Sequence, residues 1–114
     1  MSNEKKPNDI YQAVYDIVRL IPSGRVSSYG AIAAAIGSKS GARLVGYAMN
    51  QCHHLADYVP AHRVVNRNGQ LTGKFHFSTP TQMEELLKKE GVSVVDDKIE
   101  NFDQVFWDPS IEIN

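Results

Sequence analysis

Residues 28–50 carry two short amphipathic segments separated by a four-residue break. Ser28 is placed to cap a helix that carries Ile32 and Ile36 at i, i+4 and ends at Gly37. After Gly37-Ser38-Lys39-Ser40, Ser40 is placed to cap a further helix from Gly41 to about Asn50, with Leu44, Val45 and Ala48 as its inward stripe. Two helices of this length joined by so tight a turn have helix-turn-helix proportions, which many helical hairpins that bind nothing also have. Before them, Ile10, Val14, Ile17, Val18 and Ile21 fall on one face of a helix predicted from Asn8, its cap, with Asp9 in the first turn; Pro22-Ser23-Gly24 stops it. Arg25 to Ser28 then reads as extended.

Beyond residue 50 the signals are more mixed. Gln51 to Pro60 has no clear period and reads as a loop, whereas Asn66-Arg67-Asn68-Gly69 between Val64-Val65 and Gln70-Leu71 predicts a small hairpin. Thr79-Pro80-Thr81-Gln82 combines a cap, a first-position proline and a capping-box glutamine, and opens a helix through Met83, Leu86 and Leu87 that stops at Gly91. Val92 to Val95 suggests a strand. The chain has 114 residues, 42% of them hydrophobic, enough for one core. The expected fold is a mostly helical α/β single domain over residues 8–95, with a polar arm at 1–7 and an acidic tail at 96–114 packed back on the domain.

Charge is distributed unevenly although its sum is only −1. Residues 1–78 hold nine basic and four acidic side chains, a balance of +5, and residues 79–114 hold three and nine, a balance of −6. A uniformly basic binder is excluded, while an anionic partner for the first two thirds is favoured over chance placement of solvated charges. Cys52 is the only cysteine, so no internal disulfide forms and a reduced, cytoplasmic setting is expected. His53, His54, His62 and His76 lack paired cysteines or a His-Glu-x-x-His helix, so neither a metal nor a cofactor is expected. No uncharged stretch, Val26 to Ser38 included, is long enough to span a bilayer, and no apolar signal core follows the polar N-terminus.

Three stretches matter together: Gly24-Arg25-Val26-Ser27-Ser28-Tyr29-Gly30, Gly41-Ala42-Arg43-Leu44-Val45-Gly46-Tyr47-Ala48-Met49, and Pro60-Ala61-His62-Arg63-Val64-Val65. In this order, with Lys-Glu-Gly at 89–91, they closely resemble the DNA-binding and active-site domain of the O6-alkylguanine-DNA alkyltransferase family over roughly residues 9–91. The resemblance implies that family's C-terminal domain type, a winged-helix-like helix-turn-helix. Its signature is Pro-Cys-His-Arg-Val, whose cysteine takes an alkyl group from a flipped guanine. Here that position is Ala61, and a methyl group has neither the lone pair nor the ionisable proton a nucleophile needs. This departure is the trait of the alkyltransferase-like proteins, which bind the lesion and hand it to nucleotide excision repair; many of them carry tryptophan at this position.

The resemblance also assigns roles. Ser28, Tyr29, Ala42, Arg43 and Gly46 would contact duplex DNA through the minor groove, where small residues permit close approach. Arg43 would enter the base stack in place of the flipped nucleotide, and its guanidinium suits stacking and hydrogen bonding; pairing with Asp57 is the alternative. Tyr29 would crowd the 3′ phosphate, or else be a half-buried core residue. Tyr29, Ala61, Val64 and Trp107 would line the lesion pocket, with Trp107 packed into the core as the other reading. His62 and Glu90 match the family's proton relay, which has no proton to move here, and Arg63 matches an arginine that holds the fold together. Cys52 stands where the family commonly has an asparagine and reads as an inert thiol.

The expected function is non-enzymatic recognition of O6-alkylguanine in double-stranded DNA by a monomer, with excision-repair proteins as further partners. Two rivals remain open on sequence: a true alkyltransferase using Cys52, and a helix-turn-helix regulator that reads undamaged sequence.

Overall fold

The computed structural model describes residues 7–38 and 41–113. The arm expected before Pro7, the cap expected at Ser40, and the side chains of Asn8 and Asp9 lie outside the described residues. The first helix, α1 (Pro7–Leu20), turns Val14, Val18 and Ile21 fully inward, as their spacing requires. Strand β1 (Ser27–Ser28) leads directly into α2 (Tyr29–Ala35), where the Ser28 hydroxyl accepts the Ala31 N–H at 3.1 Å and so caps the helix. Gly37, at φ +68°, closes α2: its N–H reaches the Ala34 carbonyl while the Ser38 N–H reaches that of Ala33, the paired bonds of a left-handed helix end.

Helix α3 (Gly41–Gln51) packs against α2 and buries Val45, Ala48 and Met49. Leu44, expected on the inward stripe, is only half-buried, and Met49 takes the inward place one turn on. The Tyr15 hydroxyl donates to the Ala48 carbonyl at 2.9 Å and ties α1 to α3. Each fully buried aliphatic side chain in this cluster contributes about 1.5–3 kcal/mol relative to exposure.

The hairpin expected around Asn68-Gly69 does not form as a ladder. Its turn is present, with the Asn66 side-chain oxygen accepting from the N–H groups of Asn68 and Gln70. However, β2 (Val64–Val65) pairs in parallel with β1, Ser27 opposite Val64 and Ser28 opposite Val65. Burial on both faces explains the choice, since alternation sends Val64 into the α1–α3 core and Val65 into a second core with Val26, Leu71, Met83 and Leu87. The two-residue sheet is therefore the seam between two apolar clusters.

Helix α4 (Gln82–Lys89) starts later than its proline suggests, and the Thr79 cap is not used. Instead the Gln82 side chain accepts the Ser78 N–H at 2.8 Å and the Thr81 hydroxyl bonds Glu85 at 2.9 Å. The strand expected at 92–95 is one arm of a hairpin, β3 (Val94–Val95) with β4 (Lys98–Ile99), turned by Asp96 and Asp97, both at positive φ. Two short helices follow, α5 (Phe102–Val105) and α6 (Pro109–Glu112), the latter capped by the Asp108 side chain. Between them Phe106 bridges to Val26 in parallel, and the Trp107 N–H donates to the Val26 carbonyl at 2.7 Å. Trp107 is buried in the α1–α3 core. Among the described residues no helix is long and apolar enough to cross a membrane.

Candidate nucleic-acid interface

Successive turns of α3 place Ala42, Arg43, Gly46, Tyr47 and Asn50 on one outward face, opposite the buried Val45, Ala48 and Met49. Across from that face stands Tyr29, the first residue of α2. Its ring is half-buried and its hydroxyl reaches the segment after residue 71, beside Thr72 and Gly73. Gly73 permits the approach, because a Cβ there would stand 2.9 Å from the Tyr29 oxygen. Burial raises the Tyr29 phenol above its ordinary value, so it stays protonated and can donate.

These residues enclose an open cleft of about 400 Å³, walled by α3 on one side and by Thr72, Gly73 and His76 on the other. Of the side chains expected to contact DNA, Tyr29, Ala42, Arg43 and Gly46 all line it. Arg43 is exposed and makes no ion pair among the described residues, so the alternative pairing with Asp57 is not present. The Asp57 and Tyr58 carbonyls instead accept from Arg19. Ser28 is apart from the cleft, its hydroxyl occupied at the α2 cap, and it lines a separate hollow with Arg67, Phe102, Asp103 and Phe106.

A second, narrower cavity of about 240 Å³ adjoins the first, with His76 lining both. Its apolar wall is Val59, Ala61, Phe77 and Leu86, and its polar wall is His53, Tyr58, His62, His76, Ser78 and Gln82. Ala61 sits in a 3₁₀ turn, Ala61–Arg63, that follows Pro60 and enters β2. The four residues expected to share a lesion pocket are thus divided. Tyr29 belongs to the open cleft and Ala61 to the cavity, while Val64 and Trp107 line neither and are buried in the core. Val64 is turned inward by the β1–β2 pairing, and Trp107 by its own backbone bond to Val26.

Behind Ala61 the His62–Glu90 pair is fully assembled. His62 Nε2 lies 2.6 Å from Glu90 Oε2, Arg63 meets the same carboxylate through Nε and Nη2, and the Gly24 N–H donates to Oε1 at 2.9 Å. Burial works against the Glu90 charge, but Arg63, His62 and the Gly24 N–H together hold its pKa down to about 2. Burial lowers the His62 pKa, with Glu90 opposing, so the imidazole is neutral and donates Nε2–H to Glu90. Arg63 also donates to the Ile21 carbonyl at 2.9 Å and fastens this network to the end of α1. No side chain capable of receiving an alkyl group stands at 61.

Cys52 is the one thiol of the chain. It is buried, lines neither hollow, and donates to the Met49 carbonyl at 3.1 Å. Burial pushes its thiol up to about 11, which leaves about one molecule in ten thousand as thiolate at neutral pH. Among the described residues no three His, Cys, Asp or Glu side chains are grouped to hold a metal ion.

Sequence reasoning missed Tyr47, Asn50, Thr72, Gly73 and His76. The first two were within reach, since Tyr47 follows Arg43, and Asn50 follows Gly46, by one helical turn. The others come from a segment with no periodic signal.

Residues 9–92 match the family described as 6-O-methylguanine DNA methyltransferase, DNA binding domain. Alkyltransferase-like protein 1 of Schizosaccharomyces pombe is 35% identical over 106 residues, covering 90% of this chain and 97% of that protein. The methylated-DNA–protein-cysteine methyltransferase of Salmonella typhimurium is 43% identical over 79 residues, covering 68% of this chain but only 44% of its own length. In three dimensions, S. pombe Atl1 in complex with damaged DNA containing O6-carboxymethylguanine matches with a TM-score of 0.78 at 36% identity, over 92% of this chain and 100% of that one. An O6-methylguanine methyltransferase variant from M. tuberculosis matches with a TM-score of 0.59 at 34% identity, over 82% of this chain and 55% of that one. With the family match running through α1 to α4 and the S. pombe relative covered almost entirely, the chain belongs to the 6-O-methylguanine DNA methyltransferase DNA-binding domain family, as an alkyltransferase-like member.

Proposed function

We propose that this protein is a non-enzymatic reader of O6-alkylguanine in duplex DNA. The observation that carries the reading is the pairing of two features. Tyr29, Ala42, Arg43 and Gly46 converge on one open cleft, and the adjoining cavity ends at Ala61 with an intact but idle His62–Glu90 pair behind it. The small side chains of α3 let its backbone approach a minor groove. Arg43 fills the gap left by a flipped nucleotide and Tyr29 crowds the adjacent phosphate. Phosphate contacts supply most of the affinity, and selectivity comes from the base, since a lesion that weakens pairing is easier to extrude and its alkyl group gains by burial.

The lesion is held and not repaired. The buried, protonated Cys52 supports this, as does its absence from the lining of both hollows. Handing the site to nucleotide excision repair is implied by the likeness to the alkyltransferase-like proteins. The chemical half of the proposal is tested by incubating the protein with O6-methylguanine duplex and weighing it intact: the mass stays unchanged, and the gain of a methylene equivalent would overturn it.

A further inference from the structure

A groove of about 440 Å³ lies between α1, the C-terminal end of α2 and α6. Ile17, Leu20, Ala34, Ala35, Pro109 and Ile113 make its lining apolar, with Asp16 and Ser110 as the polar members. Leu20 is 55% exposed and Ile113 45%, and Ile111, in the same last stretch of chain, is 69% exposed. Large aliphatic side chains left to water around a concave surface mark a place that gains by being covered. The groove shares no lining residue with the cleft on α3.

We propose that this groove docks a protein partner through a basic amphipathic helix while the cleft holds DNA. Shape decides the helix. The groove runs between helices and no strand edge lines it, so a partner lays an apolar helical stripe into it, and Ala34 and Ala35 are small enough to let that helix come close.

Charge decides the partner's sign. Asp16 is the one charged side chain in the lining, and Glu112, one turn after Pro109, adds a second carboxylate at the rim. Arg19 and Gln12 both meet Asp16 through Oδ1, which leaves Oδ2 for another cation among the described residues. The two arginines beside the rim are committed to backbone, Arg19 to the Asp57 and Tyr58 carbonyls and Arg25 to those of Val105 and Phe106. Their contacts with Asp16 and Glu112, at 3.5 and 4.0 Å, are long. The cleft is the reverse, since Arg43 and His76 line it and no carboxylate does. Phosphates are drawn to the cleft and turned away from the groove, which stays open on the DNA-bound chain. A second copy of the chain fits less well, because a two-fold dimer through the groove sets its carboxylates against themselves. The docking is independent of which lesion the cleft reads.

The probe is a helical peptide of about 18 residues with leucines repeating at i, i+3, i+4 and i+7 and lysines on both flanks, and its twin carries glutamates in place of the lysines. Amide chemical shifts of the isotope-labelled full chain are followed by NMR as each peptide, or an undamaged duplex, is added separately. The lysine peptide moves Ile17, Leu20, Ala35 and Ile113 and leaves Arg43 and Gly46 in place, and the duplex does the opposite. The glutamate twin binds about tenfold more weakly or worse, and the lysine peptide weakens as salt rises. Leu20→Ser with Ile113→Ser lowers peptide affinity by about tenfold and leaves duplex affinity unchanged. The titrations of the unaltered chain stand without the variant. A lysine peptide that moves no groove signal, a twin that binds equally well, or a duplex that moves the groove signals would each overturn the proposal. Groove shifts that grow with protein concentration alone identify a second copy as the occupant and overturn it as well.

Discussion

His62 Nε2 stands 2.6 Å from Glu90 Oε2, while Ala61, immediately before His62, presents only a methyl to the cavity. The pair that the resemblance reads as a proton relay is assembled beside a residue with no ionisable proton. Its remaining work is structural, because Glu90 joins Arg63, Gly24 and His62, and Arg63 in turn holds Ile21.

That role predicts how stability responds to acid. The unfolded chain binds a proton at His62 near pH 6.5 while the folded chain resists it, so stability begins to fall as pH drops through that value. Glu90 adds a second loss between pH 4.5 and about 2, because its folded pKa is depressed and protonation favours unfolding. Glu90→Gln removes one partner from a largely buried pair and costs about 3 kcal/mol at neutral pH. Thermal melts from pH 8 to pH 3 check both: the midpoint falls for the native chain, and the variant starts lower and changes less below pH 4.5.

On the proposed function, Arg43 supplies the energy that keeps the nucleotide out of the stack. Arg43→Ala weakens lesion binding by about a hundredfold, matching the few kcal/mol that flipping requires, and it lowers the signal of a 2-aminopurine reporter at the target position. Arg43→Lys recovers charge but little stacking. Undiminished affinity and reporter signal in both variants would move the mechanism to Tyr29.

Gly46 separates folding from binding. A Cβ there meets nothing within 4 Å, so Gly46→Leu leaves the fold intact and adds up to about 1 kcal/mol of helix propensity. The same side chain fills the cleft and holds α3 off the groove, so DNA affinity falls by roughly tenfold or more. Urea unfolding and DNA titration of one sample read the two effects with opposite sign.

On the proposed function, the cavity beside Ala61 sets which lesions fit. Ala61→Trp occupies it, and binding of large O6 substituents drops more than binding of O6-methyl. Ala61→Cys places a thiol beside the assembled His62–Glu90 pair, and intact mass spectrometry then detects alkyl transfer, which the proposed function excludes for the native chain.

The positions of α1, α2 and α3 were legible because each carries a helical stripe and a stop, and Ser28 acts as the cap its position suggested. The parallel pairing of Ser27–Ser28 with Val64–Val65 was not, since two-residue strands distant in sequence have no period and their partners are chosen by tertiary burial. Asp96-Asp97 hid a hairpin turn because neither position is the glycine that positive φ normally favours. The cleft was half legible: Tyr29, Arg43 and Gly46 were named from the resemblance, but His76 enters from a segment without pattern. Trp107 was left between pocket and core, and its side chain is buried in the α1–α3 core.

The central claim is that the chain recognises O6-alkylguanine by itself, without chemistry. It is tested most directly by titrating the full chain into two duplexes that differ only in guanine or O6-methylguanine at one position. The account predicts clearly tighter binding to the lesion at every salt concentration, while both affinities fall in parallel as salt rises, with a log–log slope of about −0.9 per neutralised phosphate. Equal affinity for the two duplexes would contradict it.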